Sequence, residues 1–334
     1  PVLGPGPARD RDQRPMVAGP AGGETGGMDS LDPLPPERVD AYLRRIGAER
    51  PDRPTEAALR ELQLRHLEAV PFENLSVHLR EDVVLDAAAL VGKVVDRGRG
   101  GFCYELNGAF AALLRALGYR VELLQARVYG DDGHPGIPYD HLALRVRAAD
   151  GGGRAWLTDV GFGDHSHFPL DLDERGEQED PAGVFRIVEA PGPGPEDGGG
   201  AEPEDGAGEG PEDGAGEDSG AGTGTAAGAD GDLDVVRDGR PRYRLERRPR
   251  ALADFAVGAW WHRTSPESPF TRSPVCSLLT GRGRVTLSGR RLITTEDGSR
   301  TERVLSGDGE LLAVYRDRFG IRLDRPPVPL HPRP

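Results

Sequence analysis

Cys103 is the residue in this chain whose neighbours point most directly to chemistry. It follows the run RGRGGF at 97–102 and opens the segment CYELNGAFAALLRALG, in which Leu106, Phe110, Leu113, Leu114 and Leu117 recur at helical intervals up to Gly118. A sulfur at a helix N-terminus faces unpaired N–H groups and the positive end of the helix dipole, and both favour a thiolate. Gly98, Gly100 and Gly101 let backbone come close and leave the sulfur reachable. Such a nucleophile needs a base and an acid that orients the base. His141 in YDHLALRV and Asp159 in WLTDVGFG supply both residue types on successive predicted strands, in the order Cys, His, Asp. Alternation along the first strand sends Leu142, Leu144 and Val146 to one face and His141 to the other, with Tyr139 and Ala143. If that second face meets Cys103, an imidazolium–thiolate pair follows. The plainer reading of a lone cysteine is a buried, inert thiol. The Gly-rich turn argues against it for Cys103, whereas Cys276 in SPVCSLL reads as a core thiol.

Other candidate clusters carry less. His165 and His167 lack acidic or Cys partners at ligand spacing, so they read as surface histidines and no metal site is expected. RGRGG lacks the Lys-Ser/Thr ending of a phosphate-binding loop. Trp260 and Trp261 read as packing for the C-terminal unit, and Glu105 and Asn107 as supports for the helix start.

The elements that must position these residues follow from periodicity. PERVDAYLRRI at 36–46 places Val39, Tyr42, Leu43 and Ile46 on one helical face. Thr55 is a natural N-cap for TEAALRELQLRHLEAV, whose Leu59, Leu62, Leu67 and Val70 form a buried face before Pro71 stops the helix. Residues 86–95 make another short helix. Beyond Gly118 the texture changes to YRVELLQARVY, HLALRV, RAWLTDVGF, FRIVEA and RYRLERRP, short runs between Gly/Asp/Pro clusters that read as antiparallel strands. The C-terminal part offers a helix in LADFAVGAWWHR, alternating strands in GRVTLSGRRLITT and ELLAVYRDRFGIRL, and a loose Pro-rich end.

Charge is unevenly spread over the 334 residues. The chain has 42 Lys+Arg against 56 Asp+Glu, a formal charge of −14, yet residues 191–232 hold twelve acids and no Lys or Arg. The same stretch holds 15 of the 48 glycines and no Val, Ile, Leu, Met or aromatic residue, so it cannot bury enough apolar surface to offset its ordering entropy. It is expected to be a disordered insert on a hairpin tip, and PEDG at 195, 203 and 211 reads as a repeat inside a tolerant loop. What remains is nearly neutral, which argues against a nucleic-acid binder. No apolar run approaches ~18 residues, the tail has no apolar leader segment, and two cysteines make no disulfide framework. A cytoplasmic protein with no membrane contact is expected. The divisions expected are a disordered extension at 1–28, a helical bundle at 29–118, strands at 119–190 and 233–250 around the insert, a C-terminal unit at 251–323 and a flexible tail at 324–334.

The motifs together are more specific than any one. RGRGGFCYELN resembles the nucleophile motif of the arylamine N-acetyltransferases. VPFENL at 70–75, HLALRV, LTDVGFG and SPFTRSPVCSL resemble further segments of that family, over most of residues 29–320 apart from the insert. The resemblance implies an α+β fold: an N-terminal helical bundle, a central antiparallel β-barrel and a C-terminal α/β lid, with a papain- or transglutaminase-like cysteine triad. It implies Cys103 as acyl-accepting nucleophile, His141 as its partner and Asp159 as the orienting acid. Acetyl-CoA would be the co-substrate, with no tightly bound cofactor, and an aromatic amine or hydrazine the acceptor. Phe72, Phe102, Phe162 and Phe270 are candidates for the acceptor cleft, with Gly161 and Gly163 letting substrate pass close to backbone. Thr271, Arg272 and Ser273 are candidates for coenzyme A contacts. Arg97 and Arg99 compete for the motif's arginine, and Arg99 is favoured by its adjacency to Gly100 and Gly101. The same triad would also serve an amide synthase closing a macrolactam with a longer acyl chain, or a thiol hydrolase. An interaction protein displaying the acidic insert is the non-enzymatic alternative. The oligomeric state is left open.

Overall fold

A computed structural model of the chain describes residues 31, 33–191 and 231–332. The N-terminal extension lies outside these residues, and so does the acidic insert apart from its flanks at 191 and 231–232.

The first part is helical: α1 (Pro36–Ile46), α2 (Glu56–Ala69), the two-residue strand β1 (Phe72–Glu73), α3 (Leu75–Leu79), α4 (Ala87–Val95) and α5 (Cys103–Ala116). The helix starts are chemically marked. Thr55 Oγ1 accepts from the Ala58 N–H at 3.2 Å, and Asp86 Oδ1 from the Ala89 N–H at 3.0 Å. Helix α5 is buried along almost its whole length, and its Leu106, Phe110, Leu113 and Leu114 are the centre of the first core.

The second part is an eight-stranded antiparallel sheet of β2 (Arg120–Val128), β3 (His141–Arg147), β4 (Trp156–Thr158), β5 (Leu170–Asp171), β6 (Gln178–Asp180), β7 (Gly183–Glu189), β8 (Leu233–Arg237) and β9 (Arg240–Arg250). Its order is β5-β4-β3-β2-β9-β8-β7-β6. The Gln178 side chain bridges the two edges: its Oε1 accepts from the Asp171 N–H at 2.7 Å, and its Nε2 donates to the Asp171 carbonyl at 2.9 Å. That amide completes a rung where the ladder is missing, so the sheet is a nearly closed barrel. Alternation divides it as expected. Leu142, Leu144 and Val146 pack against the helical core, while Ala143 joins Leu124, Phe185, Ile187 and Tyr243 on the other face. Strands β7 and β8 pair up to Glu189 and Leu233, and the Ala190 N–H donates to the Asp232 carbonyl at 2.9 Å. The insert therefore leaves from the end of a hairpin, but its second strand is LDVVR and not RYRLERRP, which lies one strand further over.

The third part begins with a 3-10 turn over Leu252–Phe255 and continues through α6 (Ala256–Thr264), α7 (Pro269–Arg272), β10 (Val275–Thr280), β11 (Gly283–Ser288), β12 (Arg291–Glu296), β13 (Ser299–Val304) and α8 (Asp308–Phe319). The segment ELLAVYRDRFGIRL, expected as a strand, is mostly helix α8. Leu311, Val314, Tyr315 and Phe319 share one buried helical face, and Gly320 at φ 70° ends the helix, with the Ile321 N–H reaching back to the Tyr315 carbonyl at 2.9 Å. Strand β1 pairs with β10, making a five-stranded sheet ordered β1-β10-β11-β12-β13. Leu75 and Leu79 of α3 enter the same core as Cys276, Leu287 and Tyr315. The helical and C-terminal parts are thus stitched together by residues 72–79. The Pro-rich end, expected to be loose, makes defined contacts: Arg325 donates to the Leu79 carbonyl at 3.0 Å, and the His331 N–H to the Thr271 carbonyl at 2.9 Å. No helix among the described residues is long and apolar enough to cross a membrane.

Candidate active site

Cys103 is the first residue of α5, and the turn before it is held by buried charge. Arg99 Nε donates to Glu73 Oε1 at 2.8 Å, Lys93 Nζ to Glu105 Oε1 at 2.5 Å, and Glu105 Oε2 accepts from the Phe102 N–H at 3.3 Å. Burial alone would raise the Glu73 carboxyl, but Lys93 and Arg99 overcome it and hold the group down at about 2. Arg97 is exposed, so Arg99 is the arginine that carries this network. Gly100 has no room for a side chain: a Cβ there would lie 1.7 Å from the Pro71 carbonyl oxygen.

His141 opens β3 and faces the start of α5. Its Nε2 lies 2.7 Å from Asp159 Oδ2, with both side chains buried. Burial would depress the imidazole, but the charge and hydrogen bond of Asp159, followed by those of Cys103, raise it to about 10. Asp159 in turn is held at about 2, because His141 outweighs the effect of burial. With Nε2 committed to the carboxylate, Nδ1 is the ring nitrogen left for the sulfur.

Asp159 is fixed from three sides. Asn107, one turn along α5 from Cys103, donates from Nδ2 to Asp159 Oδ1 at 2.9 Å and to the Leu142 carbonyl at 2.6 Å, and accepts from the Val160 N–H at 2.9 Å. The Gly161 N–H donates to Asp159 Oδ1 at 2.9 Å, and the Tyr243 hydroxyl lies 3.3 Å from Oδ2. Gly161 rests directly on the nucleophile's backbone, where a Cβ would sit 2.7 Å from Cys103 Cα. Helix α5, strand β3 and the turn after β4 therefore meet at one residue, Asn107, and its role reaches beyond the helix start.

The sulfur opens into a cleft of ≈ 590 Å³ lined by Cys103, His141, Gly161, Phe72, Phe162 and Phe270, with Trp261, His262 and the loop 128–140 completing the walls. Five of the nine non-catalytic candidates are not brought to it. Phe102 is 1% exposed and packs edge-on against Tyr104 and Phe270 beneath the cleft floor. Gly163 lies behind Phe72, whose ring would meet an added Cβ at 3.3 Å. The Thr271 hydroxyl donates to the carbonyls of Ser265 at 2.9 Å and Ser268 at 3.0 Å, and Arg272 closes on the carbonyls of Pro266 and Glu267. Ser273 offers its carbonyl to Asn74 Nδ2 at 2.9 Å. The Thr271 and Arg272 side chains shape the α7 turn that presents Phe270, and none of the three residues lines the cleft.

Two expectations are corrected nearby. His165 is buried and not on the surface: its ring stacks on Tyr243 with centroids 5.4 Å apart, and burial pushes it down to about 4. Trp260 is 62% exposed and Trp261 lines the cleft, so neither packs a C-terminal core. Sequence reading also missed Asp140 and His262, which face each other in the cleft wall with Oδ1 and Nε2 3.0 Å apart. Residues 122 apart in sequence carry no local signal of such a pair.

Residues 57–328 match the family model described as N-acetyltransferase. The arylamine N-acetyltransferase of Mycolicibacterium smegmatis is 30% identical over 293 residues, covering 85% of this chain and 92% of its own. The crystal structure of the Nocardia farcinica arylamine N-acetyltransferase superposes with a TM-score of 0.67 at 35% identity, covering 85% of this chain and 89% of that one. The Mycobacterium marinum arylamine N-acetyltransferase in complex with CoA gives 0.66 at 28% identity, with coverage of 85% and 92%. A cysteine at a helix start, a buried histidine–aspartate pair beside it and this likeness across nearly the whole described chain have one reading, which is that the protein belongs to the arylamine N-acetyltransferase family and is an acyltransferase.

Proposed function

We propose that the chain moves an acetyl group from acetyl-CoA to an aromatic amine or hydrazine through a thioester on Cys103. The observation that carries this is the 2.7 Å contact of His141 with Asp159, which leaves the imidazole charged and its other nitrogen turned to the sulfur. The Cys103 thiolate attacks the thioester carbonyl, the bond to the coenzyme sulfur breaks, and the departing thiolate takes the proton of the His141 imidazolium. The amine then attacks the acetyl-cysteine. His141 accepts the amine proton, the bond to Cys103 sulfur breaks, and the thiolate–imidazolium pair is restored. The N–H at the very start of α5, that of Cys103, is a donor available to the developing oxyanion, whereas the Glu105 N–H is taken by the Phe102 carbonyl at 2.9 Å. An aromatic amine suits the site because its low basicity leaves its lone pair free at neutral pH, and because Phe72, Phe162 and Phe270 offer apolar faces to its ring. The coenzyme A complex of the M. marinum relative supports a coenzyme A thioester as donor.

Initial rates measured over a grid of acetyl-CoA and amine concentrations test the reading. Parallel double-reciprocal lines, with turnover lost in Cys103→Ala, are expected. Intersecting lines, or turnover retained in Cys103→Ala, would contradict a covalent relay.

A further inference from the structure

The cleft holds a second carboxylate besides that of Asp159. Asp140 stands one residue before His141, its carbonyl is 4.0 Å from Cys103 Sγ, and its side chain lines the cleft. The carboxylate is held through Oδ2, which accepts from the Val128 N–H at 3.1 Å, while Oδ1 lies 3.0 Å from His262 Nε2, a nitrogen that is also 3.1 Å from the Asp140 carbonyl. His262 is itself pinned, with Nδ1 3.2 Å from Ser268 Oγ and its ring 5.0 Å from that of Phe270. A carboxylate oxygen has room for two donors, so each oxygen of Asp140 keeps one acceptor site. The side chain retains 14% of its exposure.

The charge of the rest of the cleft matters as much. Asp132 and His134 are also among its walls, no Lys or Arg is among the described residues that line it, and the guanidinium nearest to the centre of a lining ring, that of Arg242, is 5.1 Å from the centroid of Phe162. The positive charge of His141 is already matched by Asp159. An anionic substituent entering here would meet a fixed carboxylate of like sign in a partly desolvated wall, while a cationic or hydrogen-bond-donating substituent would meet a preorganised acceptor.

We propose that Asp140, braced by His262, selects the acceptor, favouring aromatic amines that carry a second cationic or hydrogen-bond-donating group and disfavouring those that carry a ring carboxylate. This rests on the acetyl-transfer reading for its consequence in turnover, but not for its consequence in binding. Three anilines with the same ring and a para substituent of differing charge discriminate: an amidinium, a methyl ester and a carboxylate. Each is titrated for protection of Cys103 against iodoacetamide, which requires no catalysis, and then compared as an acceptor by kcat/KM.

In the wild type the amidinium should protect at a concentration at least fivefold lower than the carboxylate. In Asp140→Asn and Asp140→Ser that ratio should shrink by fivefold or more, and the carboxylate-to-ester ratio of kcat/KM should rise by a similar factor. The neutral ester is the internal reference for any general loosening of the loop. A wild type that binds the carboxylate as well as the amidinium, or ratios unmoved by both substitutions, would overturn the proposal. Charge-ordered protection without any acetyl transfer would instead sink the acetyltransferase reading and leave this one standing.

Discussion

His141 Nε2 and Asp159 Oδ2 are 2.7 Å apart in a pocket from which both side chains are shielded from water. The imidazole is raised from 6.5 to about 10, so its share of the pair's stability is fully present below pH 6.5 and lost as pH rises through about 10. The carboxyl is lowered from 3.8 to about 2, so its share is present above pH 3.8 and lost as pH falls through about 2. Removing one partner of a buried pair costs about 3–5 kcal/mol. Asp159→Asn should therefore be less stable than wild type by roughly that amount near pH 7, with the gap narrowing as pH rises further toward about 10. Urea unfolding at several pH values measures it, and a gap independent of pH would refute the charged pair.

Asn107 makes three hydrogen bonds that join α5, β3 and the Asp159 turn. Asn107→Ala leaves the buried Val160 N–H without its acceptor, at a cost of about 1–3 kcal/mol for that group alone. The melting temperature should fall, and kcat should fall further than the loss of folded protein explains. A variant with unchanged kcat would show that Asp159 does not need this brace.

Gly161 touches the nucleophile's backbone so closely that a methyl group must displace something. Gly161→Ala should cost about 1–3 kcal/mol by overpacking. It should also slow acetylation by on the order of 10²-fold, since a shift near 1 Å at the reacting groups has that effect. Stopped-flow coenzyme A release would measure the first half-reaction directly.

Arg99 and Arg97 are two residues apart, yet one is buried against Glu73 and the other lies in solvent. Arg99→Met should destabilise by about 3–5 kcal/mol because it takes from the buried Glu73 carboxylate the cation at 2.8 Å and leaves only Lys93 at 4.0 Å. Arg97→Ala should change stability by no more than about 0.5 kcal/mol. Equal effects would mean that the ion pair does not support the turn before Cys103.

Much of this was readable from residue patterns because the signals were local. The start of α5 at Cys103, the cap at Thr55, and the face of β3 that carries His141 follow from spacing within a dozen residues. The patterns did not show where every side chain is directed or which pattern wins where two compete. Thr271 and Arg272 sit in a motif, but their side-chain donors are directed to the carbonyls of residues 265–268, which the motif does not show. The alternation in ELLAVYRDRFGIRL was outweighed by the helical spacing of Leu311, Val314, Tyr315 and Phe319, which a core from α3 and β10 completes. Strand β8 was hidden because the acidic composition before it runs up to Asp232.

The most direct test is the mass of the Cys103 peptide. Purified protein incubated with acetyl-CoA and digested should yield that peptide heavier by one acetyl group, with no such gain at Cys276, whose thiol burial pushes up well above its ordinary value. Adding an aromatic amine before digestion should remove the acetyl group and return it as the N-acetyl amine. An unmodified Cys103 peptide under conditions where the amine is still acetylated would contradict the account.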